Sequence, residues 1–172
     1  MSRAFVRESD HPDDDTPPLA RPTLPPGVQN HITPAGAQRL QAELASLLEQ
    51  KRQLSVANGS LVSSQIEPQS RKLESRIRLL QQIIESVVIT QPPASSRDRV
   101  CFGATVMVRH ANGEEASYQI VGIDETDLDR GHISWRSPLA RALLSRRTGD
   151  RVRFRSPSGD EELQIVSVSY GE

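Results

Sequence analysis

Apolar residues in the first half of the chain recur at Ala37, Leu40, Leu44, Leu47 and Leu54. Lys51 stands where the alternating steps of three and four would place another hydrophobe. That period predicts a helix with a coiled-coil seam rather than a strand. Thr33-Pro34 marks its start, a capping residue followed by proline at the first helical position. The pattern dissolves at Val56-Ala57-Asn58-Gly59-Ser60, where Asn-Gly signals a stop and a turn. It resumes as Ile66, Leu73, Ile77, Leu80, Ile84 and Val87. Pro68 has to fall in the first turn of this second helix, because deeper inside it would cost about 3 kcal/mol. Leu79 and Ile83 widen the second apolar face, which predicts contact with another domain at that end. Two seams of similar length joined by a short turn read as an antiparallel hairpin of roughly 22 residues per arm, about 33 Å long.

After Gln91-Pro92-Pro93 the period shortens to two. Strands are expected from Val100 to His110, from Ser117 to Gly122, over Ile133–Trp135, from Arg151 to Arg155 and from Glu162 to Tyr170. In the last of these Val166, Val168 and Tyr170 share a face. Phe102-Gly103-Ala104 suggests a bend, and Asn112-Gly113 is a strong hairpin signal. Between the third and fourth strands, Ser137 caps a short helix, Pro138 occupies its first turn, and Leu139, Leu143 and Leu144 form its apolar side. Gly149-Asp150 is expected to stop that helix. The run Asp124-Glu125-Thr126-Asp127-Leu128-Asp129 is too short for a calcium loop and lacks its glycine, so it reads as a surface turn. The fold class is α+β: an N-terminal coiled-coil hairpin followed by a small sheet domain with one short helix.

Composition sets the boundaries. Hydrophobic residues make up 35% of the 172 and aromatics 3%, so no single large core is expected. Residues 1–30, with Asp13-Asp14-Asp15 and Pro17-Pro18, Pro22 and Pro25-Pro26, read as an acidic, proline-rich disordered tail. The hairpin takes 31–90, a linker 91–98, and the sheet domain 99–172. A net charge of −1 gives no global attraction to nucleic acid. One cysteine, Cys101, excludes an intramolecular disulfide and a multi-cysteine zinc site. No apolar run approaches the ~18–20 residues of a membrane span, and the first residues lack a signal-peptide core. A cytoplasmic monomer without metal or cofactor is expected.

Catalytic groupings are scarce. His11, His31, His110 and His132 are scattered, and no nucleophile elbow, phosphate loop or dinucleotide fingerprint occurs. Eight arginines between Arg130 and Arg155 offer contact to phosphates or to an acidic protein. Without interleaved aromatics, base stacking is not indicated, and any nucleic-acid contact would be weak or indirect.

Taken in order, Ile32-Thr-Pro-Ala-Gly-Ala-Gln-Arg-Leu40, Val100-Cys-Phe-Gly-Ala-Thr-Val106, Tyr118-Gln-Ile-Val-Gly122, Ile123-Asp-Glu125 and above all Ser134-Trp-Arg-Ser-Pro-Leu-Ala-Arg-Ala-Leu-Leu144 with Gly149-Asp150 resemble the bacterial Gre transcription elongation factors. The resemblance covers about residues 31–172. It implies an FKBP-like C-terminal domain that grips the rim of the RNA polymerase secondary channel, and a hairpin that enters the channel. At the hairpin tip, acidic residues of that family help hold the Mg²⁺ with which the polymerase cleaves backtracked RNA. By matched position, Ser134, Arg136, Ser137, Pro138, Leu139, Ala140 and Arg141 would form the polymerase-binding surface. Phe102, Gly103 and Gly122 would shape the fold.

The chain departs from that pattern at the tip. Asn58, Gly59, Ser60 and Leu61 occupy the turn, and nothing between Val56 and Ile66 is acidic. The hairpin is also shorter by about two heptads, which retracts the tip by about 20 Å if one arm carries the loss and by about 10 Å if both share it. The expectation is a polymerase-binding regulator without standard cleavage stimulation, an architecture for which the shortened-hairpin regulator of nucleoside diphosphate kinase is a precedent. The alternatives are a conventional cleavage factor and, in a different class, a peptidyl-prolyl isomerase. The isomerase needs an aromatic pocket from Phe102, Tyr118, Trp135, Phe154 and Tyr170.

Overall fold

A computed structural model describes residues 24–57, 66–92, 98–156 and 159–171. The chain runs through β1 (Asn30–Ile32), α1 (Pro34–Ala57), α2 (Ile66–Ser86) and β2 (Val87–Ile89), then β3 (Ala104–His110) and β4 (Glu115–Val121). Two 3₁₀ turns, Ile123–Glu125 and Leu128–Arg130, lead into β5 (His132–Ser134), α3 (Pro138–Leu143), β6 (Arg151–Ser156) and β7 (Gly159–Tyr170). Among the described residues no helix is long and apolar enough to cross a membrane, and no group of three or more metal-ligating side chains gathers.

The hairpin's buried contacts concentrate at its base. Ile32, Ala37, Leu40, Leu80 and Ile83 form one buried cluster, with Leu44, Leu47, Ile84 and Val87 packed against it. Farther out, polar pairs join the arms: Arg76 Nη2 lies 2.6 Å from Glu43 Oε1 and Lys51 Nζ 2.9 Å from Glu74 Oε1. Lys51 thus fills its seam position with an ion pair, and its ammonium holds the exposed Glu74 carboxyl below its usual range. Ile83 belongs to the hairpin's own cluster and Leu79 is 36% exposed, so the widened face does not serve a second domain as expected.

Two strands in the hairpin region escape sequence reading. β1 and β2 pair in parallel, Asn30 with Val87 through Ile32 with Ile89, and close the base of the hairpin. Three-residue strands are too short to show a period of two, and β1 begins inside the stretch assigned to the tail.

The sheet domain has strand order β5-β4-β3-β7-β6, with β4 and β5 parallel and the other pairs antiparallel. Its inner face carries Ala104, Val106, Val108, Ile120, Ile133, Val152, Leu163 and Ile165, covered by Ala140 and Leu143 of α3. β3 starts at Ala104 rather than Val100. Gly103, at φ +83°, turns the chain, its N–H donating to the Ile120 carbonyl at 2.8 Å. In β7 the alternation changes phase: Met107 pairs with Ser167 but Val108 with Ile165, leaving Val166 as an extra residue. That bulge keeps Leu163 and Ile165 on the same face as Val168 and Tyr170. Val166 therefore does not share the register assigned to it from alternation alone.

α3 ends earlier than Gly149-Asp150 suggests. Ser145 takes up a left-handed conformation, φ 67°, and its N–H reaches the Val100 carbonyl at 2.8 Å. Gly149, φ +92°, serves instead in the turn before β6.

Candidate docking surface and its joint to the hairpin

The segment Ser134–Arg141 is shaped by its own polar groups. Ser134 ends β5, and its Oγ accepts a hydrogen bond from the Arg136 N–H at 3.2 Å. Ser137 Oγ accepts from the Ala140 N–H at 3.1 Å, satisfying one of the donors left open at the start of α3. Pro138 follows at the first helical position, where its missing N–H costs nothing. The Arg136 guanidinium stands 6.0 Å from the centre of the Trp135 ring, at the outer edge of cation–π distance.

The outward side of this segment consists of exposed Pro138 and Arg141 with half-buried Ser134, Arg136, Ser137 and Leu139. Ala140 does not belong to that surface. It is fully buried against the sheet, so its role is to let α3 approach closely. The surface offers two guanidiniums, a rigid proline and an apolar edge. It holds no acid–base pair and no activated nucleophile, which suits it to contact rather than to chemistry. The tip residues Asn58, Gly59, Ser60 and Leu61 lie outside the described residues.

Of the eight arginines from Arg130 to Arg155, several face carboxylates. Arg130 pairs with Asp127, Arg147 with Asp98, and Arg151 and Arg153 share Glu162 at 3.7 and 2.8 Å. These pairs lower the free positive charge that the run of arginines suggests.

Directly behind the docking segment is the joint between the domains. Val121 pairs with Ser134 across β4 and β5, and the Trp135 N–H donates to the Val121 carbonyl at 2.9 Å. The chain then turns at Gly122 into Ile123–Glu125. Thr126, Leu128 and Asp129 lie at the surface, as expected of a surface turn, but the Glu125 side chain is turned inward at 2% exposure. Glu125 Oε2 accepts from the Thr33 N–H at 2.8 Å and from the Gly122 N–H at 3.0 Å. Oε1 accepts from the Thr33 hydroxyl and, at 3.3 Å, from Arg39 Nη2. Asn30 Nδ2 donates to Asp124 Oδ2 at 2.8 Å. The His31 ring packs 6.0 Å from Phe102 and 5.7 Å edge-on from Trp135.

Sequence reading missed Glu125 because its partners on the hairpin, Thr33 and Arg39, lie 92 and 86 residues away and no local period reports them. One signal was present in Gly36, a poor helix former placed in the first turn of an otherwise regular helix.

Comparison with known proteins covers most of the chain. A family model described as the C-terminal region of transcription elongation factor GreA/GreB matches residues 94–170. A transcription elongation factor GreB of Neisseria meningitidis is 38% identical over 157 residues, covering 83% of this chain and 95% of the relative. A GreA of Acidiphilium cryptum is 34% identical over 152 residues, covering 81% of this chain and 97% of that protein. Among solved structures, GreA factor homolog 1 (Gfh1) of Thermus thermophilus matches at 24% identity and a TM-score of 0.40, covering 83% of this chain and 99% of its own.

Proposed function

This chain belongs to the GreA/GreB family of transcription elongation factors, and from that premise we propose that it binds bacterial RNA polymerase at the secondary-channel rim through Ser134–Arg141 without stimulating transcript cleavage. The observation that carries the second half is the tip sequence. From Val56 to Ile66 there is no aspartate or glutamate, so the turn has no carboxylate to offer a Mg²⁺ ion. Length supports the same reading. The match to the meningococcal GreB spans 157 positions but 83% of this chain, or about 143 residues. The relative therefore has roughly 14 positions without a counterpart here, and when they fall in the hairpin each arm loses about 10 Å.

On this reading the protein acts in the cytoplasm as an accessory to the polymerase and is not itself an enzyme. It competes for the channel with factors that carry the acidic tip. The prolyl isomerase alternative gains little support. The cleft of about 400 Å³ between the start of α1, Thr90–Pro92 and Gly103 has no aromatic among its lining residues.

The test is cleavage of a stalled, backtracked elongation complex with this protein, with a cleavage-competent Gre factor, and with both. The expected result is no stimulation by this protein alone and dose-dependent inhibition of the other. Strong stimulation by this protein alone would overturn the proposal.

A further inference from the structure

The start of α1 has an unusual vacancy. A helix beginning with Thr usually recruits a Glu or Gln three residues later, whose side chain reaches back to the N–H of the capping residue. Here Thr33 caps, its Oγ1 accepting from the Gly36 N–H at 3.0 Å, but the position that should return the bond is Gly36 itself. The carboxylate that does so comes from the other domain. Glu125 Oε2 takes the Thr33 N–H at 2.8 Å, and a Cβ on Gly36 would lie 1.9 Å from Glu125 Oε1. The missing side chain and the intruding one occupy the same space.

The same carboxylate also closes its own turn, accepting the Gly122 N–H at 3.0 Å. A second glycine lets β1 close on this turn, since a Cβ on Gly122 would come within 2.2 Å of the His31 carbonyl oxygen. One negative charge therefore satisfies N-terminal donors of two helical segments from two domains, where the peptide dipoles favour an anion. Arg39, on α1, adds a guanidinium at 3.3 Å. The linkage to the docking segment is short: Gly122 follows Val121, which is hydrogen-bonded across the sheet to the Ser134–Trp135 backbone.

We propose, building on polymerase docking at Ser134–Arg141, that Glu125 is the positioning residue that sets the direction of the hairpin relative to the docking surface, by completing the cap of α1 in trans. The hairpin then points in one direction before any partner is bound, and a factor with a shortened hairpin keeps its reach along one line. Thr33, Gly36 and Gly122 are the receiving half of the joint. Asn30 with Asp124 and His31 against Phe102 and Trp135 flank it.

The experiment is double electron–electron resonance on the full chain, free in solution, with spin labels at the exposed Ser46 and Ser167 in a Cys101→Ala background. Two variants are compared with the parent. Glu125→Gln keeps the volume but turns one acceptor into a donor facing donors. Gly36→Glu gives α1 its own capping carboxylate and evicts Glu125 while leaving the helix capped. The expected result is at least a twofold broadening of the distance distribution in both variants, with unchanged far-UV circular dichroism. In the competition assay both variants should still be retained by core polymerase, yet inhibit the competing Gre factor at least tenfold less well.

Distance distributions unchanged from the parent in both variants would overturn the joint, whatever the polymerase assays give. Broadening without loss of inhibition would overturn the link between hairpin direction and function. Failure of the parent protein to bind polymerase would defeat the docking reading. The spin-label distances would still decide whether Glu125 holds the domains.

Discussion

Replacing Gly36 with alanine sets two physical effects of opposite sign against each other. In a helix the exchange is favourable by about 1 kcal/mol, because glycine loses more backbone entropy on folding. At this site the new methyl group would sit 1.9 Å from Glu125 Oε1 and 2.2 Å from Cδ. Reaching an ordinary contact requires the carboxylate to retreat by about 1.5 Å, enough to break bonds now 2.8 and 3.0 Å long. Hydrogen bonds to a charged group are each worth roughly 1.5–3 kcal/mol. Water entering behind the displaced carboxylate replaces part of what is lost, leaving a cost of about 3 kcal/mol. The balance is a destabilisation of about 2 kcal/mol, or a fall of roughly 4–8 °C in Tm for a chain of this size. Trp135, the one tryptophan of the chain, lies beside the joint at 5.7 Å from His31 and reports urea unfolding there. The decisive comparison repeats Gly36→Ala in a Glu125→Ala background. With the carboxylate gone the clash is gone, and the same substitution should stabilise by about 1 kcal/mol, a coupling of about 3 kcal/mol between the two sites. Stabilisation of equal size in both backgrounds would mean that Gly36 and Glu125 do not compete for the same space.

Two further outcomes follow from the sheet domain. Leu143 is fully buried where α3 meets the sheet, so Leu143→Ala should cost about 2–5 kcal/mol in denaturation followed by Trp135 fluorescence; a loss under 1 kcal/mol would contradict that packing. The Tyr170 hydroxyl donates to the Arg99 carbonyl and accepts from the Cys101 N–H at 3.0 Å, and burial pushes its pKa from 10.0 up to about 12. The folded state holds this proton more tightly than the unfolded chain, so the stabilisation is complete below pH 10 and disappears as the pH rises toward 12. Absorbance at 295 nm, taken as the difference between the parent and Tyr170→Phe, should show a midpoint near 12, and a midpoint near 10 would refute it.

What could be read in advance was what short-range chemistry encodes. Thr33-Pro34 and Ser137-Pro138 announced two helix starts, since capping acts within four residues. The spacing from Ala37 to Leu54 and from Leu73 to Ile84 announced the hairpin arms, because a seam repeats often enough to be counted. Asn112-Gly113 announced the turn between β3 and β4, where Gly113 adopts φ +87°. What could not be read was long-range or single-residue. Glu125 looked like one more acid in a polar loop, since its partners come from the other end of the chain. The bulge at Val166 shifts the alternation by one residue, and β1 and β2 are too brief to alternate. At the candidate docking segment the residue types were legible, but only the fold separates the buried Ala140 from the exposed Pro138 and Arg141.

The lysine within the hairpin seam has a consequence for specificity. A half-exposed pair such as Lys51 with Glu74 adds little to stability, because water screens both charges. Its value is in what it forbids. Two leucine seams can slide past each other by a heptad at little cost. A lysine among the leucines accepts only the alignment that brings a carboxylate opposite it. A shift by one heptad takes that carboxylate away from the ammonium. The hairpin thus carries its own address: each arm recognises the other in one register.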